Sequence, residues 1–521
     1  MTIAPDTPPQ AAGVTAAPSS PPAPASPYGS YDPLLVNEEL APLKQQRWKA
    51  YNIFAFWMSD VHSVGGYVTA TSLFAMGLAS WQVFVAIVIA ILFVNLAVNL
   101  IAKPSQVTSV PFPVICRAAF GIKGANIPAL IRGVIAVVWY GIQTFLASQV
   151  LVMLILKLWP SMAEYADESQ HSFLGLHPVG YLAFFIMWGL QIVVFWRGMA
   201  AIRRFIDVAG PAVYVVMFAL AGYLVVKAGG FGALDFSLGS EPLTGGQAVF
   251  AFFAAIAIMV SYFSGPSLNF GDISRYGESY AAVKRGNFLG LPVNILFFSA
   301  LVVVTAAATL PVYGQIITDP VQTIEAIDST TAVVLGALTV IVATIGINIV
   351  ANFIAPAFDF SQVAPTRISW RTGGMIAAVG SLLLTPWNLY DSADVIKYTL
   401  GILACFIGPL FGVLITFYYY AAKQRVKVDD LYSSAPTGKY WYTGGFNTNA
   451  VAATVIGAAV GMCFVLIPAM GHLGDFSWFV SCGVGALAFY LLERSRPQTA
   501  PLPTDAELEP NVRVDGGVAH G

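Results

Sequence analysis

Apolar residues run along this chain in long blocks separated by short polar breaks, not in the strict alternation of half-buried strands. Twelve blocks are of the order of the about 20 residues that a bilayer-spanning helix needs. They lie at 51–77, 81–102, 128–157, 178–196, 208–227, 247–268, 287–312, 331–357, 373–388, 395–420, 449–470 and 475–493. Residues 1–36 and 494–521 are different: they are rich in Pro, Ala, Ser, Thr and charge and poor in large apolar residues. They are expected to be disordered tails. The pattern predicts an all-α membrane protein of twelve transmembrane helices.

Composition supports this reading. Hydrophobic residues make up 57% of the 521 and charged residues only 10%, with a mean hydropathy of +0.72. A soluble domain carries about 25% charged residues, so a soluble globular protein is excluded. A net charge of −2 gives no reason to expect a nucleic-acid partner. Cys116, Cys405, Cys463 and Cys482 are scattered through apolar stretches and form neither a disulfide framework nor a metal spacing. The opening Met-Thr-Ile-Ala-Pro-Asp has no basic stretch leading into an apolar core, so it does not read as a signal peptide.

Charge also orients the spans. With an even number of spans and a cytoplasmic N-terminus, all but three of the 25 basic residues fall on the inner side, as the positive-inside rule requires. The exceptions are Lys157, Lys227 and Lys397, while the outer loops carry Glu164, Asp167, Glu168, Asp319, Glu325 and Asp328. Arg132 counts among the inner charges, at the inner end of the third span. The expected setting is the inner (cytoplasmic) cell membrane, with both termini in the cytoplasm.

Two spans are interrupted. The first places Ser59, Asp60, His62 and Ser63 mid-span, followed by Gly65-Gly66; the sixth carries Ser264-Gly265-Pro266. Gly and Pro weaken a helix, and in lipid the freed backbone groups are tolerated only where they line a cavity. Interrupted segments at matching positions of two halves point to a transporter with inverted repeats and a site near mid-membrane. An ionisable group at that depth, such as Asp60 or His62, faces a polar interior or pairs locally. Trp139 and Gln143 share one face of the third span. An indole beside an amide suits a planar ring with in-plane N–H and C=O groups, although spacing alone equally allows an interfacial Trp and a helix-packing Gln. Asn348 and Asn352, four apart in the eighth span, face either a ligand or a neighbouring helix. Gly457 and Gly461 form a small-residue pattern for helix contact, within the chain or between chains.

Eight segments together resemble the nucleobase:cation symporter-1 family of purine, pyrimidine, allantoin and hydantoin permeases. They are NEELAPLKQQRWKAYN, WMSDVHSVGGY, VPFPVICRAAFGIKGANIPALIRG, WYGIQTFLAS, DISRY, NIVANFIAPAFD, TPWNLY and YWYTGGFN, in order over residues 37 to 492. The resemblance implies a leucine-transporter-like fold: a 5+5 inverted repeat (37–227 and 228–420), then helices 11 and 12 within 421–493. By position it implies that the stacking Trp and its amide neighbour fall on Trp139 and Gln143. The second stacking aromatic falls on Phe263, where the hydantoin transporter of the family has Trp. Asn352, with Asn348 beside it, falls on the substrate-contacting Asn. Ser63 stands where the hydantoin transporter has Gln, and the gate leucine falls on Leu400. Sodium-binding positions fall on Ser59 and His62 as carbonyls and on Ala343, Gly346 and Ile347, so two hydroxyl ligands are missing. The expectation is therefore a proton as coupling ion, with His62 or Asp60 titrating, and no bound cofactor or resident metal.

The reading reached is a secondary active importer of a nucleobase or hydantoin-like ring, probed as uracil, cytosine, allantoin or a 5-substituted hydantoin. It is expected to work as a monomer or weak dimer by alternating access. The alternatives are sodium coupling with the same substrates, or the same fold carrying a vitamin or amino acid. An enzyme would need a nucleophile–base pair or metal cluster inside the bundle, and a channel would need rings of charge or a symmetric pore. The sequence shows neither.

Overall fold

A computed structural model describes residues 28–238, 241–327, 329–390 and 393–496, together with Pro503. Most of both tails therefore lies outside the described residues, as does the side chain of Leu400. Among the described residues the architecture is helical, and the β-bridges are isolated ones.

The first apolar run forms two short helices, α1 (Ala50–Val61) and α2 (Val64–Phe74). Then follow α3 (Ser80–Thr108), α4 (Phe112–Phe120), α5 (Asn126–Leu158), α6 (Pro178–Trp196) and α7 (Met199–Lys227). The sixth run is again split, into α8 (Gly245–Tyr262) and α9 (Ser264–Leu268). After it come α10 (Tyr280–Tyr313), α11 (Thr330–Val363), α12 (Trp370–Leu383) and α13 (Ala393–Ile415, running on to Ala421). The last two are α14 (Thr448–Leu466) and α15 (Ser477–Arg494).

Ten helices among the described residues are long and apolar enough to cross a membrane. The two remaining expected spans fall short for identifiable reasons. The first is cut at His62 and Ser63. The ninth stops at Leu383, because Thr385 turns to a φ of 42° and Pro386 follows, so 373–388 holds only a 14-residue helix. The run at 81–102, by contrast, is overtaken by a longer helix that reaches Thr108 and swings into buried α4, an element the hydropathy pattern did not show. Side chains cap several starts: Ser329 accepts from the Ala332 amide and Ser369 from that of Thr372. Lipid-facing positions keep large apolar residues at the surface, Val226 at 80% and Leu383 at 76% exposure among them.

The packing shows the internal repeat. α1 lies on α7 and α9 on α13; α1 lies on α10 and α8 on α3; α5 packs on α6 and α11 on α12. α7 touches α10 and α11, as α13 touches α3 and α5. Exchanging the first five spans for the next five maps each contact onto its counterpart, and α5 against α11 maps onto itself. α14 and α15 pack on each other and on α13. There a Cβ on Gly457 would lie 2.7 Å from Pro409 Cβ and from Ser481 O, and one on Gly461 would lie 2.8 Å from Ser481 Cβ. The small-residue stripe is thus used inside the chain.

Three long helices contain one widened turn each, at Leu289–Val293, Asn348–Phe353 and Thr416–Ala421. Such turns free backbone groups and gather at functional sites. The middle one holds both candidate asparagines.

Candidate functional site

The two helix breaks meet. After Val61 the chain leaves the helix; His62 has φ −79° and ψ 85°, and Ser63 is extended. Ser63 restarts it: its Oγ accepts from the Gly66 amide at 2.9 Å. The same Oγ shares a 3.1 Å hydrogen bond with the hydroxyl of Tyr262, the last residue of α8. A hydroxyl pair thus bridges the unwound points of the first and sixth runs.

α5 closes a third side. A Cβ built on Gly65 would lie 3.1 Å from Gln143 Nε2 and 3.4 Å from the Tyr262 hydroxyl. Glycine at 65 therefore lets the amide and the phenol approach the backbone. Gln143 is buried, and among the described residues its Oε1 has no hydrogen-bond partner. A buried amide oxygen left unpaired costs about 1–3 kcal/mol, which a ligand N–H would remove. Trp139, one turn away on the same helix, is half-buried.

α11 supplies the fourth side, and its two asparagines differ. Asn348 donates from Nδ2 to Gln191 Oε1 at 2.8 Å, Thr144 Oγ1 at 3.0 Å and Tyr140 O at 3.2 Å. Those partners belong to α5 and α6, so this amide nitrogen is engaged by the protein. Asn348 Oδ1 in turn accepts from Asn352 Nδ2 at 3.0 Å. That bond fixes the orientation of Asn352, whose carbonyl oxygen is the group left to offer. Of the two, the Asn348 side chain is thus tied into the protein, and Asn352 keeps one side-chain oxygen that it does not spend on Asn348.

Two aromatics stand at the second break. Phe263 follows α8 as its C-cap, is 2% exposed, sits edge-on to Tyr262 at 5.1 Å and belongs to the main apolar core. Its neighbour Tyr262 is the aromatic that reaches Ser63. No pattern along the chain pointed to Tyr262, because a helix break does not preserve the face on which neighbouring side chains emerge. Gly265 lies on the far side of the break, where its Cβ would come within 3.8 Å of Arg132 Nη2, and Pro266 is half-buried in the same short helix.

The candidate ion-coupling residues separate. Ser59 lies against Gly346, whose Cβ would be 3.3 Å from Ser59 Cβ, and its buried Oγ has no partner among the described residues. Gly346 and Ile347 bring no side-chain oxygen. The His62 ring lies edge-on to Tyr214 at 4.2 Å and tilted against Phe298 at 5.4 Å, with neither nitrogen hydrogen-bonded. It borders a largely apolar cavity of about 70 Å³, lined also by Ser63, Tyr67, Met217 and Ala343. Asp60 is 2% exposed, and its Oδ1 has no hydrogen-bond partner among the described residues.

Arg132, counted among the inner charges at the end of the third span, is 1% exposed and turned into the bundle. Its Nε donates to Asn269 Oδ1 at 2.8 Å and its Nη2 to Ala351 O at 2.9 Å. It therefore joins the segment after the second break to the widened turn of α11.

Comparison with known proteins agrees with this geometry. A family model described as permease for cytosine/purines, uracil, thiamine, allantoin matches residues 41–481. The chain is 36% identical over 467 residues to the allantoin permease of Bacillus subtilis (strain 168), covering 89% of this chain and 94% of that one. It is 26% identical over 510 residues to the hydantoin permease of Microbacterium maritypicum, covering 93% and 94%. Among solved structures it is similar in fold to the nucleobase-cation-symport-1 family transporter Mhp1 in a closed conformation with bromovinylhydantoin bound. The TM-score is 0.73 at 23% identity, over 92% of this chain and 100% of that one.

Proposed function

Because the chain belongs to the family of permeases for cytosine/purines, uracil, thiamine and allantoin, we propose that it is a proton-coupled secondary active importer. Its cargo in this reading is a nucleobase, allantoin or hydantoin-like ring, carried across the cell membrane with both termini in the cytoplasm. The family is one of transporters, not enzymes, and the chain is a multi-pass membrane protein.

One observation carries the substrate class: the buried, unpartnered Gln143 Oε1 beside the joined breaks at Ser63 and Tyr262. A ring with adjacent N–H and C=O groups suits that edge. Gln143 accepts from a ring N–H, and its Nε2 donates to the neighbouring carbonyl. Asn352, with its nitrogen held by Asn348, offers an acceptor for a second N–H. Trp139 stacks on the flat face, for about 1 kcal/mol beyond burial. Asn348 acts by orienting Asn352, and Phe263 backs Tyr262. The ureide and imide edges of allantoin, uracil and hydantoins present these groups. A vitamin or amino acid without such a ring leaves Gln143 unpaired.

The case for a proton over sodium rests on Gly346 and Ile347. Sodium takes several oxygen ligands, and these positions bring none from their side chains. Uptake of radiolabelled allantoin, uracil, cytosine and benzyl-hydantoin into proteoliposomes tests both parts. The expected result is saturable uptake of at least one ring, increasing as outside pH falls from about 8 to 6 and unchanged when choline replaces sodium. Uptake strictly dependent on sodium overturns the proton reading, and transport of none of the rings overturns the substrate class.

A further inference from the structure

Below the joined breaks lies a group of buried charges that substrate recognition does not use. Asp60, Asp272 and Asp359 are at most 2% exposed, and Arg132 and Arg275 at most 1%. None of the three carboxylates forms an ion pair with either guanidinium among the described residues. Arg132 is spent on Asn269 and Ala351 O, and among the described residues its Nη1 has no hydrogen-bond partner. Arg275 is spent on the carbonyls of Glu39 and Ala41. Asp272 accepts from the Phe112 amide at 2.9 Å and from Asn269 Nδ2 at 3.5 Å. Asp359 has no hydrogen-bond partner at either oxygen among the described residues.

A buried carboxylate with both oxygens unbonded is costly if ionised. The charges acting on Asp359 are Asp272 and Arg132. Around it, α5 presents Arg132, the turn at Gly271–Ser274 presents Asp272 with Arg275 beyond, and α4 presents Cys116 and Arg117. α12 has Arg371 at its exposed end. Arg117 is engaged by Gln362 Oε1 and by the carbonyls of Leu35 and Leu431. Asp272 is met by two donors and Asp359 by none among the described residues, so of these two carboxylates Asp359 is the one that a proton relieves. Like-charged carboxylates in one site cannot both ionise cheaply.

We propose that Asp359 carries the coupling proton and that Arg132 reads its charge, a proposal that rests on the proton-coupled reading above. With Asp359 neutral, Arg132 stays on Asn269 and Ala351 O and ties the second break to the widened turn of α11. Ala351 precedes Asn352, so the same bond steadies the substrate reader. Loss of the proton to the cytoplasm leaves an ionised carboxylate packed on the start of α5, where a Cβ on Gly133, the residue after Arg132, would lie 3.4 Å from Asp359 Cβ. Arg132 then turns to Asp359, lets go of Ala351 O, and frees the turn that holds Asn352. Proton and substrate favour the same arrangement, so each raises the affinity for the other. The balance is one proton taken from outside and one delivered inside per cycle.

The test uses the full chain in proteoliposomes with whichever radiolabelled ring the wild type transports. Asp359→Asn imitates the protonated carboxyl permanently. It should lose pH-gradient-driven accumulation by at least about tenfold and keep counterflow exchange of preloaded substrate. Asp359→Glu should restore driven uptake in part, with a displaced pH profile. Driven accumulation in Asp359→Asn with the wild-type pH profile overturns the proposal. Loss of exchange in both variants overturns it too, since the residue would then be structural. Wild-type uptake that follows sodium and ignores pH instead overturns the coupling reading, before any variant is made.

Discussion

One helix, α5, carries both Gln143 and Arg132, about three turns apart, and the two regions they serve obey different rules. Around Gln143 the polar groups are neutral: the Ser63 and Tyr262 hydroxyls, the amides of Asn348 and Asn352, and an indole. Around Arg132 they are charged, with Asp60, Asp272 and Asp359 in range. A neutral ring is recognised by the first kind, because amides and hydroxyls present both donors and acceptors without the desolvation cost of an ion. A conformational lock coupled to an ion needs the second, because only a charge that appears and disappears changes the balance by several kcal/mol. Each region is tied to the other through α11, where Asn352 and Ala351 are adjacent.

The largest expected effect separates the regions by chemistry. Gln143→Leu keeps the size of the side chain and removes its in-plane groups. It should lower uptake by about ten- to a hundredfold, from about 1–3 kcal/mol of unpaired ring groups, with the protein still made and inserted. Trp139→Ala should weaken substrate binding by about tenfold, measured by the concentration dependence of uptake. If both variants transport as the wild type does, the neutral region is packing and not a site.

The asparagines give a finer cut. Asn348→Ala leaves Gln191 Oε1 without its Asn348 donor and removes one of the two donors to Thr144 Oγ1. It should lower thermal stability, by about 1–3 kcal/mol, and disturb substrate ranking only through Asn352. Asn352→Ala should change the ranking of ring analogues while the melting temperature moves little. The reverse assignment of effects would exchange the roles of support and reader.

Legibility in the sequence followed this same division. Ten of the twelve expected spans, the two breaks and the shared α5 face of Trp139 and Gln143 were readable because hydropathy and helical spacing survive into the fold there. Tyr262 was not, because its side chain reaches Ser63 only through the turn that the break itself creates. Asn348 and Asn352 were correctly seen as one face, but a widened turn and partners on α5 and α6 decide which of them is free. The burial of Arg132 was hidden for a different reason. The positive-inside rule counts charges near span ends and cannot tell an exposed arginine from one turned into the bundle. The buried carboxylates of the same group come from α1, the turn at Gly271–Ser274 and α11, far apart in sequence, so no local motif announced them.

The hydroxyl bridge between the breaks predicts a smaller change. Tyr262→Phe and Ser63→Ala each remove the 3.1 Å bond, worth about 0.5–1.5 kcal/mol. Either should reduce substrate affinity a fewfold, and the double variant should be no worse than the stronger single one, since both delete one interaction. Additive losses would mean that the two hydroxyls act on the substrate independently.

Gly65→Ala has the smallest expected effect and the most specific one. A Cβ at that position meets Gln143 Nε2 at 3.1 Å and the Tyr262 hydroxyl at 3.4 Å, closer than ordinary contact on the amide side. Gly65 sits in α2, so alanine brings no backbone strain and even favours the helix, by about 1 kcal/mol. Stability should therefore hold or rise slightly. The amide of Gln143, at the end of a flexible side chain, must yield by a few tenths of an ångström, which shifts its Nε2 and Oε1 relative to the ring. Substrates with a carbonyl beside the amide nitrogen should lose affinity, and the order of preference between uracil-like and hydantoin-like rings should change. The Arg132 region, three turns away, should not respond, and the pH profile of uptake should keep its shape. An altered pH profile with unaltered ring preference would mean that the first break reports to the charged region, and the separation along α5 would fail.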